Sequence, residues 1–286
     1  MKSFRSLNIA CSLVGVAAIA MIGLSPITAG AAIILVSKGT IASGTDATGV
    51  FGSAAADLSG KTYKIMITYD DFSTAFHSSS QTFEKQAGPV SGNLSVAVNG
   101  LTFARNVTQS FGAFLYVNNN GAFSELTGFQ SGDDASGQAL YAANDLSSTS
   151  GTVTSPSIGM TAYIAMPGDV GDARFSTSGV EGTASFTASP SAVYLLFPPP
   201  QLIASLSSYV QSLGLAHGTE TSFLAKLNAA MSYLSSGDIA SAVDSVNAFI
   251  NETNAQSGKK LTATQASQMI SQAQSIIFTI GIIYST

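Results

Sequence analysis

Apolar residues recur at every second position in an early segment of the chain. In residues 61–70, Tyr63, Ile65, Ile67 and Tyr69 are each separated by one residue. A period of two puts the two alternating sets of side chains on opposite faces of an extended chain. The segment is therefore predicted to be a β-strand.

A second pattern predicts a hairpin. Two apolar segments, 94–98 and 101–103, flank Asn99-Gly100. Both turn residues tolerate a positive φ, as a type I′ turn requires. The expected pairs are Val98 with Leu101 and Val96 with Phe103. Further predicted strands cover 33–43, 111–117, 122–129, 160–166, 180–188 and 192–196. Short strands separated by turn residues predict an antiparallel β-sandwich over 32–197, with a barrel as the lesser alternative.

Helical periodicity replaces this alternation in the last part of the chain. Apolar residues at spacings of three and four predict helices within 202–213, 223–234, 239–250 and 262–277. Asp238 is expected to cap the third helix, and Thr262 with Gln265 to form a capping box. Gly237 and Gly258 are expected to end the second and third helices. Residues 202–286 are thus predicted to form a small four-helix module.

Pro198-Pro199-Pro200 marks the change from one pattern to the other. Consecutive prolines favour a stiff, extended conformation because they lack backbone donors. Residues 198–201 are therefore predicted to be a proline linker between two domains. The predicted fold class is multidomain β plus α.

Composition narrows the possible functions. Of 286 residues, 45% are hydrophobic and 9% are charged, with 11 Lys and Arg against 16 Asp and Glu. The net charge of -5 disfavours binding to nucleic acid. One Cys, two His and no Trp exclude a Cys-rich zinc site and a disulfide framework. No metal or cofactor is expected to be needed.

The start of the chain has the layout of a secretory signal peptide. Lys2 and Arg5 precede an apolar run over 13–24, and Ala29-Gly30-Ala31 supplies small residues for cleavage. At about 1.5 Å per residue the run spans about 18 Å, against about 30 Å of membrane hydrocarbon. Residues 1–31 are therefore expected to be removed after Ala31, leaving a mature chain without cysteine. The apolar end of the fourth predicted helix, 276–284, is too short to span a membrane, so none is expected in the mature chain.

Two stretches of the chain resemble known families. The C-terminal part, from about 202 to 280, resembles the FIMAH domain, a helical module of exported bacterial and archaeal proteins. The matching residues are 222–227, 242–250, 255–261, Ala266 and 273–277. Residues 43–46, 48–52, 57–60 and 69–70 resemble the opening of β-rich modules in uncharacterised exported bacterial proteins, many of which end in a PEP-CTERM sorting tail that does not follow here. The resemblances imply an accessory role at the cell surface, and the FIMAH family supplies no catalytic residues.

Few residues are candidates for catalysis or for metal binding. His77, with Asp70, Asp71 and nearby serines, could contribute to a catalytic Ser-His-Asp arrangement. The favoured interpretation is that His77 lies in a solvated loop and has no catalytic role. His217 is interpreted as a turn residue. Loop aspartates could bind Ca²⁺, but turn and cap roles are favoured, with Asp46 expected to serve the Gly-rich turn that follows it. These loop aspartates are Asp46, Asp57, Asp70, Asp71, Asp133, Asp134, Asp145, Asp169 and Asp172.

Carboxylates and tyrosines of the β region are candidates for acting on or binding sugars, and a pair of lysines is a candidate for stabilising a helix. Carboxylates including Glu84, Glu125 and Glu181 leave glycoside hydrolysis open as an activity. The absence of Trp makes this activity less favoured, because clefts that cleave sugars commonly use aromatic platforms. Exposed tyrosines could instead bind sugars without catalysis, but packing roles are favoured. The candidates are Tyr63, Tyr116, Tyr141 and Tyr163. Lys259-Lys260 is interpreted as stabilising the C-terminal end of the third helix.

These observations predict an exported, non-catalytic surface or matrix protein. Its role is expected to be adhesive or structural, with weak binding to an extracellular polysaccharide or cell-surface component. The alternative is a polysaccharide-active enzyme or sugar-binding accessory protein whose site lies in the β domain.

Overall fold

Strands occupy the first part of the folded chain and helices the second. The computed structural model describes residues 32–69, 77–78, 82–87, 92–119, 124–148, 160–165 and 167–285. The predicted signal peptide, 1–31, lies outside the described residues, as do Asp70 and Asp71.

Thirteen strands are present in the described part of the chain. They are β1 (Ile33–Asp46), β2 (Ala56–Asp57), β3 (Thr62–Tyr69), β4 (His77–Ser78), β5 (Thr82–Ala87), β6 (Gly92–Val98), β7 (Leu101–Val107), β8 (Gln109–Asn119), β9 (Ser124–Asp133), β10 (Ala139–Ser148), β11 (Met160–Ile164), β12 (Val170–Ser178) and β13 (Ala184–Leu196). The strands pair antiparallel in the order β4-β5-β8-β9-β10-β12-β13-β1-β3-β6-β7, with β11 on β13 and β2 on β1.

The sheet turns back on itself, so that β8, β9, β10 and β12 face β1, β3, β6 and β7. Phe103 of β7 packs against Phe175 of β12 with ring centroids 6.0 Å apart. Gly128 of β9 is so close to β1 that a Cβ atom there would lie 2.6 Å from Leu35 Cδ1. The β region is therefore an antiparallel sandwich, as predicted.

The hairpin between β6 and β7 confirms the predicted turn and register. Asn99 and Gly100 have φ values of 48° and 84°. Val98 pairs with Leu101, and Val96 pairs with Phe103. The register follows from the turn, because a two-residue turn with positive φ matches the twist of the strands it joins.

Other strands differ from the sequence prediction. The predicted strands 180–188 and 192–196 are one strand, β13, and Val180 lies in the preceding turn. Pro190 is tolerated within β13 because it lies opposite Gly39 at a register shift in β1, where a Cβ atom would collide with Ser189 O at 2.1 Å. The strands β2, β4, β5, β10 and β12 were not predicted. In β10 the apolar alternation is interrupted because polar side chains are buried on its core face.

Four helices follow the sandwich. They are α1 (Pro199–Ser212), α2 (His217–Ser235), α3 (Ile239–Gln256) and α4 (Ala263–Tyr284). The side chain of Asp238 accepts a hydrogen bond from Ser241 N, and Thr262 with Gln265 forms the capping box, as predicted. Helices long and apolar enough to cross a membrane are absent from the described residues.

The prolines have a different role from the predicted linker over 198–201. Pro199 and Pro200 form the first turn of α1, and Pro198 is its N-cap residue. The first amides of a helix have no intrahelical partner, so proline loses nothing there. Phe197 and Pro199 are both buried. The chain therefore passes from the sandwich directly into helix.

The end of α4 packs on the side of β1, β3 and β13 that points away from the sandwich core. Ile283 joins an apolar cluster with Ile34, Val36 and Leu196. Two sandwich lysines complete the contact, since Lys64 Nζ donates to Ile283 O at 2.9 Å and Lys38 Nζ donates to Ser285 Oγ at 2.7 Å. Lysine at this end of the helix satisfies free carbonyl groups and complements the helix dipole. The first residues of β1 are consequently covered on both faces.

Candidate functional site

The opposite layer of the sandwich presents a polar outer face. In β10, Leu140 and Leu146 point into the core, while Tyr141 and Asp145 alternate with them and lie on the other face. The outer face is defined as the described outward-facing residues of β9, β10 and β12. Partial exposure of residues such as Thr127, Tyr141 and Asp172 leaves them accessible to a ligand.

Strand register aligns a row of polar residues across adjacent strands. Thr127, Asp145 and Asp172 of this row lie on the outer face, and the side chains of the other members are outside the described set. Each member of the row is the direct partner of the next in adjacent strands. The row consists of His77, Glu84, Tyr116, Thr127, Asp145 and Asp172. The sequence interpretation treated the other members of the row separately and missed Thr127, because spacing along the chain does not show that these residues are neighbours.

The described side chains of the row form short hydrogen bonds. Thr127 Oγ1 donates to Asp145 Oδ1 at 2.9 Å. Arg174 Nε donates to Asp172 Oδ2 at 2.5 Å. Asp145 and Asp172 lie directly opposite each other, an arrangement in which like charges repel. The Thr127 hydroxyl and the Arg174 guanidinium offset that repulsion while leaving other carboxylate oxygens to accept bonds from a ligand.

The candidate sugar-binding tyrosines have different positions. Tyr63 is buried, its hydroxyl lies 2.9 Å from Ser37 Oγ, and burial raises the pKa of its phenol. It is a core residue and not part of a sugar platform. Tyr141 belongs to the outer face. Tyr116 pairs with Thr127, and its side chain is outside the described set. Tyr163 lies in β11 opposite Val193, and its side chain is outside the described set.

Some of the aspartates that the structure describes serve turns, as expected, but Asp133, Asp145 and Asp172 lie within strands. Asp46 is fully buried and its carboxylate accepts from Gly49 N at 2.9 Å, Val50 N at 2.7 Å and Phe51 N at 2.6 Å. This confirms its predicted role in the Gly-rich turn. Asp57 accepts from Ser59 N at 2.8 Å. Within the described ranges, no group of three or more His, Cys, Asp or Glu residues is placed to hold a metal ion.

Asp134 belongs to a second polar cluster at the end of the sandwich. Its Oδ1 atom accepts from Ser136 Oγ at 2.6 Å and from Gln138 N at 3.0 Å. The Ser136 hydroxyl, then backbone amides and Arg105, hold the pKa of the Asp134 carboxyl below its usual value. Arg105 also pairs with Glu181. These bonds connect the end of β7 to the turns before β10 and β13, so the cluster is structural.

The two histidines and the lysine pair that the sequence singled out lie in separate parts of the structure. His217 begins α2 and is therefore not a turn residue. His77 lies opposite Glu84 in a strand pair, which replaces the expected loop, and its side chain is outside the described set. Lys260 Nζ donates to Thr219 Oγ1 at 3.0 Å, so this lysine connects the turn after α3 to α2.

No family model matches this chain, and neither the curated proteins nor the solved structures contain a match to it. The FIMAH resemblance therefore stays a prediction.

Proposed function

We propose that this chain is a non-catalytic surface or matrix protein that binds an extracellular polysaccharide weakly through the outer face. The observation that carries the proposal is the row of Thr127, Asp145 and Asp172 across adjacent strands. Hydroxyl and carboxylate groups exchange hydrogen bonds with sugar hydroxyls. Tyr141, half-buried on the same face, adds an aromatic surface for the apolar side of a sugar ring.

The chemistry of this face favours a neutral polymer and weak binding. Two adjacent carboxylates and a net charge of -5 repel a polyanion. On an exposed face, each new hydrogen bond replaces one to water, so its net gain is only about 0.5 to 1.5 kcal/mol. Several copies acting on one polymer would raise the effective affinity, because linked sites benefit from effective concentration.

Substitutions on the outer face test the proposal. Tyr141→Ala and Asp145→Ala are each expected to lower retention on purified neutral exopolysaccharide about tenfold, consistent with the loss of about 1.4 kcal/mol. Tyr233→Ala is the matched control, since Tyr233 is exposed on α2, away from the sandwich. Unchanged retention of both outer-face variants, with folding intact, would contradict the proposed site.

The alternative is a polysaccharide-active enzyme. It is favoured by one observation, the direct pairing of Asp145 with Asp172. Opposed residues have Cβ atoms about 4.5 to 5.5 Å apart, which can bring two carboxyl groups near the separation found in retaining glycosidases. Release of reducing sugar that is lost in Asp172→Asn would replace the binding proposal with this one.

Export is the second part of the proposal. It is supported by Lys2, Arg5, the apolar run over 13–24 and the small residues before Ile33. The strand β1 begins with buried Ile33, so cleavage after Ala31 would retain all of this strand. Intact-mass measurement of protein recovered outside the cytoplasm is expected to give a chain beginning near Ala32. A mass that includes Met1 would overturn this part.

A further inference from the structure

Two amide side chains are buried in the sandwich without hydrogen-bond partners. Gln130 in β9 and Asn144 in β10 are each 1% exposed. Neither the amide nitrogen nor the carbonyl oxygen of either side chain has a protein partner. Buried polar groups are nearly always paired with protein or with ordered water. These four atoms therefore have hydrogen-bonding capacity that the described part of the protein does not satisfy.

Both amides lie in the same part of the interior. Gly128, two residues before Gln130, is the direct partner of Asn144 across β9 and β10, and Gln130 pairs with Ala142. The two amides are thus diagonal neighbours on the core face, with Cβ atoms about 7 to 8 Å apart. A molecule between them can reach both side chains.

The facing layer adds the hydroxyl group of Tyr69 and a position without a side chain at Gly92, and the layer of the amides adds a second such position at Gly128. A Cβ atom on Gly92 would lie 2.8 Å from Gln130 Nε2, and one on Gly128 would lie 3.0 Å from Tyr69 Oη. Tyr69 and Gly92 are themselves direct partners in β3 and β6. The amides and the phenol therefore meet where the two layers face each other.

We propose that Gln130 and Asn144 bind ordered water inside the sandwich. The two side chains offer both donors and acceptors and carry no charge, which suits a small neutral molecule that can donate and accept at once. Buried waters typically form about three hydrogen bonds to such groups. This site is independent of polymer binding at the outer face and would link the side chains of β9 and β10 through hydrogen bonds.

Oxygen-17 relaxation dispersion tests this site, because it detects water molecules that remain bound for longer than the protein takes to tumble. The variant carrying Gln130→Met and Asn144→Leu is expected to lose the signal of at least one such water. Thr253→Val is the control: it removes a buried hydroxyl that already donates to Phe249 O at 2.8 Å, so the signal should be unchanged. An unchanged signal in a folded double variant would overturn the proposal.

A crystal structure of the unsubstituted protein gives a second readout if the double variant does not fold. Water density within about 3.2 Å of atoms of both amides would support the site. Amides that pair with protein groups, or that lie in dry surroundings, would overturn it.

Discussion

Replacing Phe249 with alanine is expected to lower the free energy of unfolding by about 3 to 5 kcal/mol. The Phe249 ring is fully buried in the helical module. It packs on Phe223 with ring centroids 5.3 Å apart and an interplanar angle of 59°. Alanine would remove the aromatic pair and leave a cavity between α2 and α3. Urea unfolding of the full chain, followed by circular dichroism at the helix signal, measures the loss.

Tyr233→Ala is the control for this measurement, because Tyr233 is 40% exposed on α2. Its expected cost is below about 1 kcal/mol. A loss of similar size for Phe249→Ala would contradict the packing described for α2 and α3. It would instead indicate that the ring contributes to binding a partner.

Replacing Asp46 with alanine is expected to cost about 3 kcal/mol or more. Its carboxylate accepts from the backbone amides of three residues, Gly49, Val50 and Phe51, and lies fully inside the protein. Removal would leave buried donors without a partner, and hydrogen bonds to a charged acceptor contribute more than neutral ones. Phe51 would lose its support as well, and its ring packs against Phe175 at 5.7 Å.

Chemical unfolding at constant pH compares this variant with Asp57→Ala. Asp57 also accepts a turn amide, from Ser59, but it is exposed to solvent. Its loss is expected to be much smaller, since water can replace the bond. Equal losses for the two variants would show that the Asp46 turn does not depend on its buried carboxylate.

The hairpin and the helix caps could be predicted because their causes are local. Asn99 and Gly100 adopt the positive φ values that the turn requires, and these values set the pairing of β6 with β7. Asp238 and Thr262 each bond to an amide three residues later. Such contacts involve residues close in sequence, and few alternative arrangements satisfy them.

Strands with buried polar residues could not be predicted in the same way. On β10 the core face carries Asn144 and Ser148 beside Leu140 and Leu146, so the apolar alternation is broken. The candidate site was missed for a related reason. Thr127, Asp145 and Asp172 become neighbours only through the pairing of β9, β10 and β12, and strand order is set by contacts between distant segments.

The sequence by itself determined the division into strands followed by helices, the hairpin register and two of the helix caps, because periodicity and short-range hydrogen bonds act within a few residues. Only the tertiary structure decided which faces are covered. Ile34 and Val36 are buried because α4 packs over them, while the residues around Asp145 stay open. Burial of a strand's second face depends on what another segment places against it, and that information lies elsewhere in the chain.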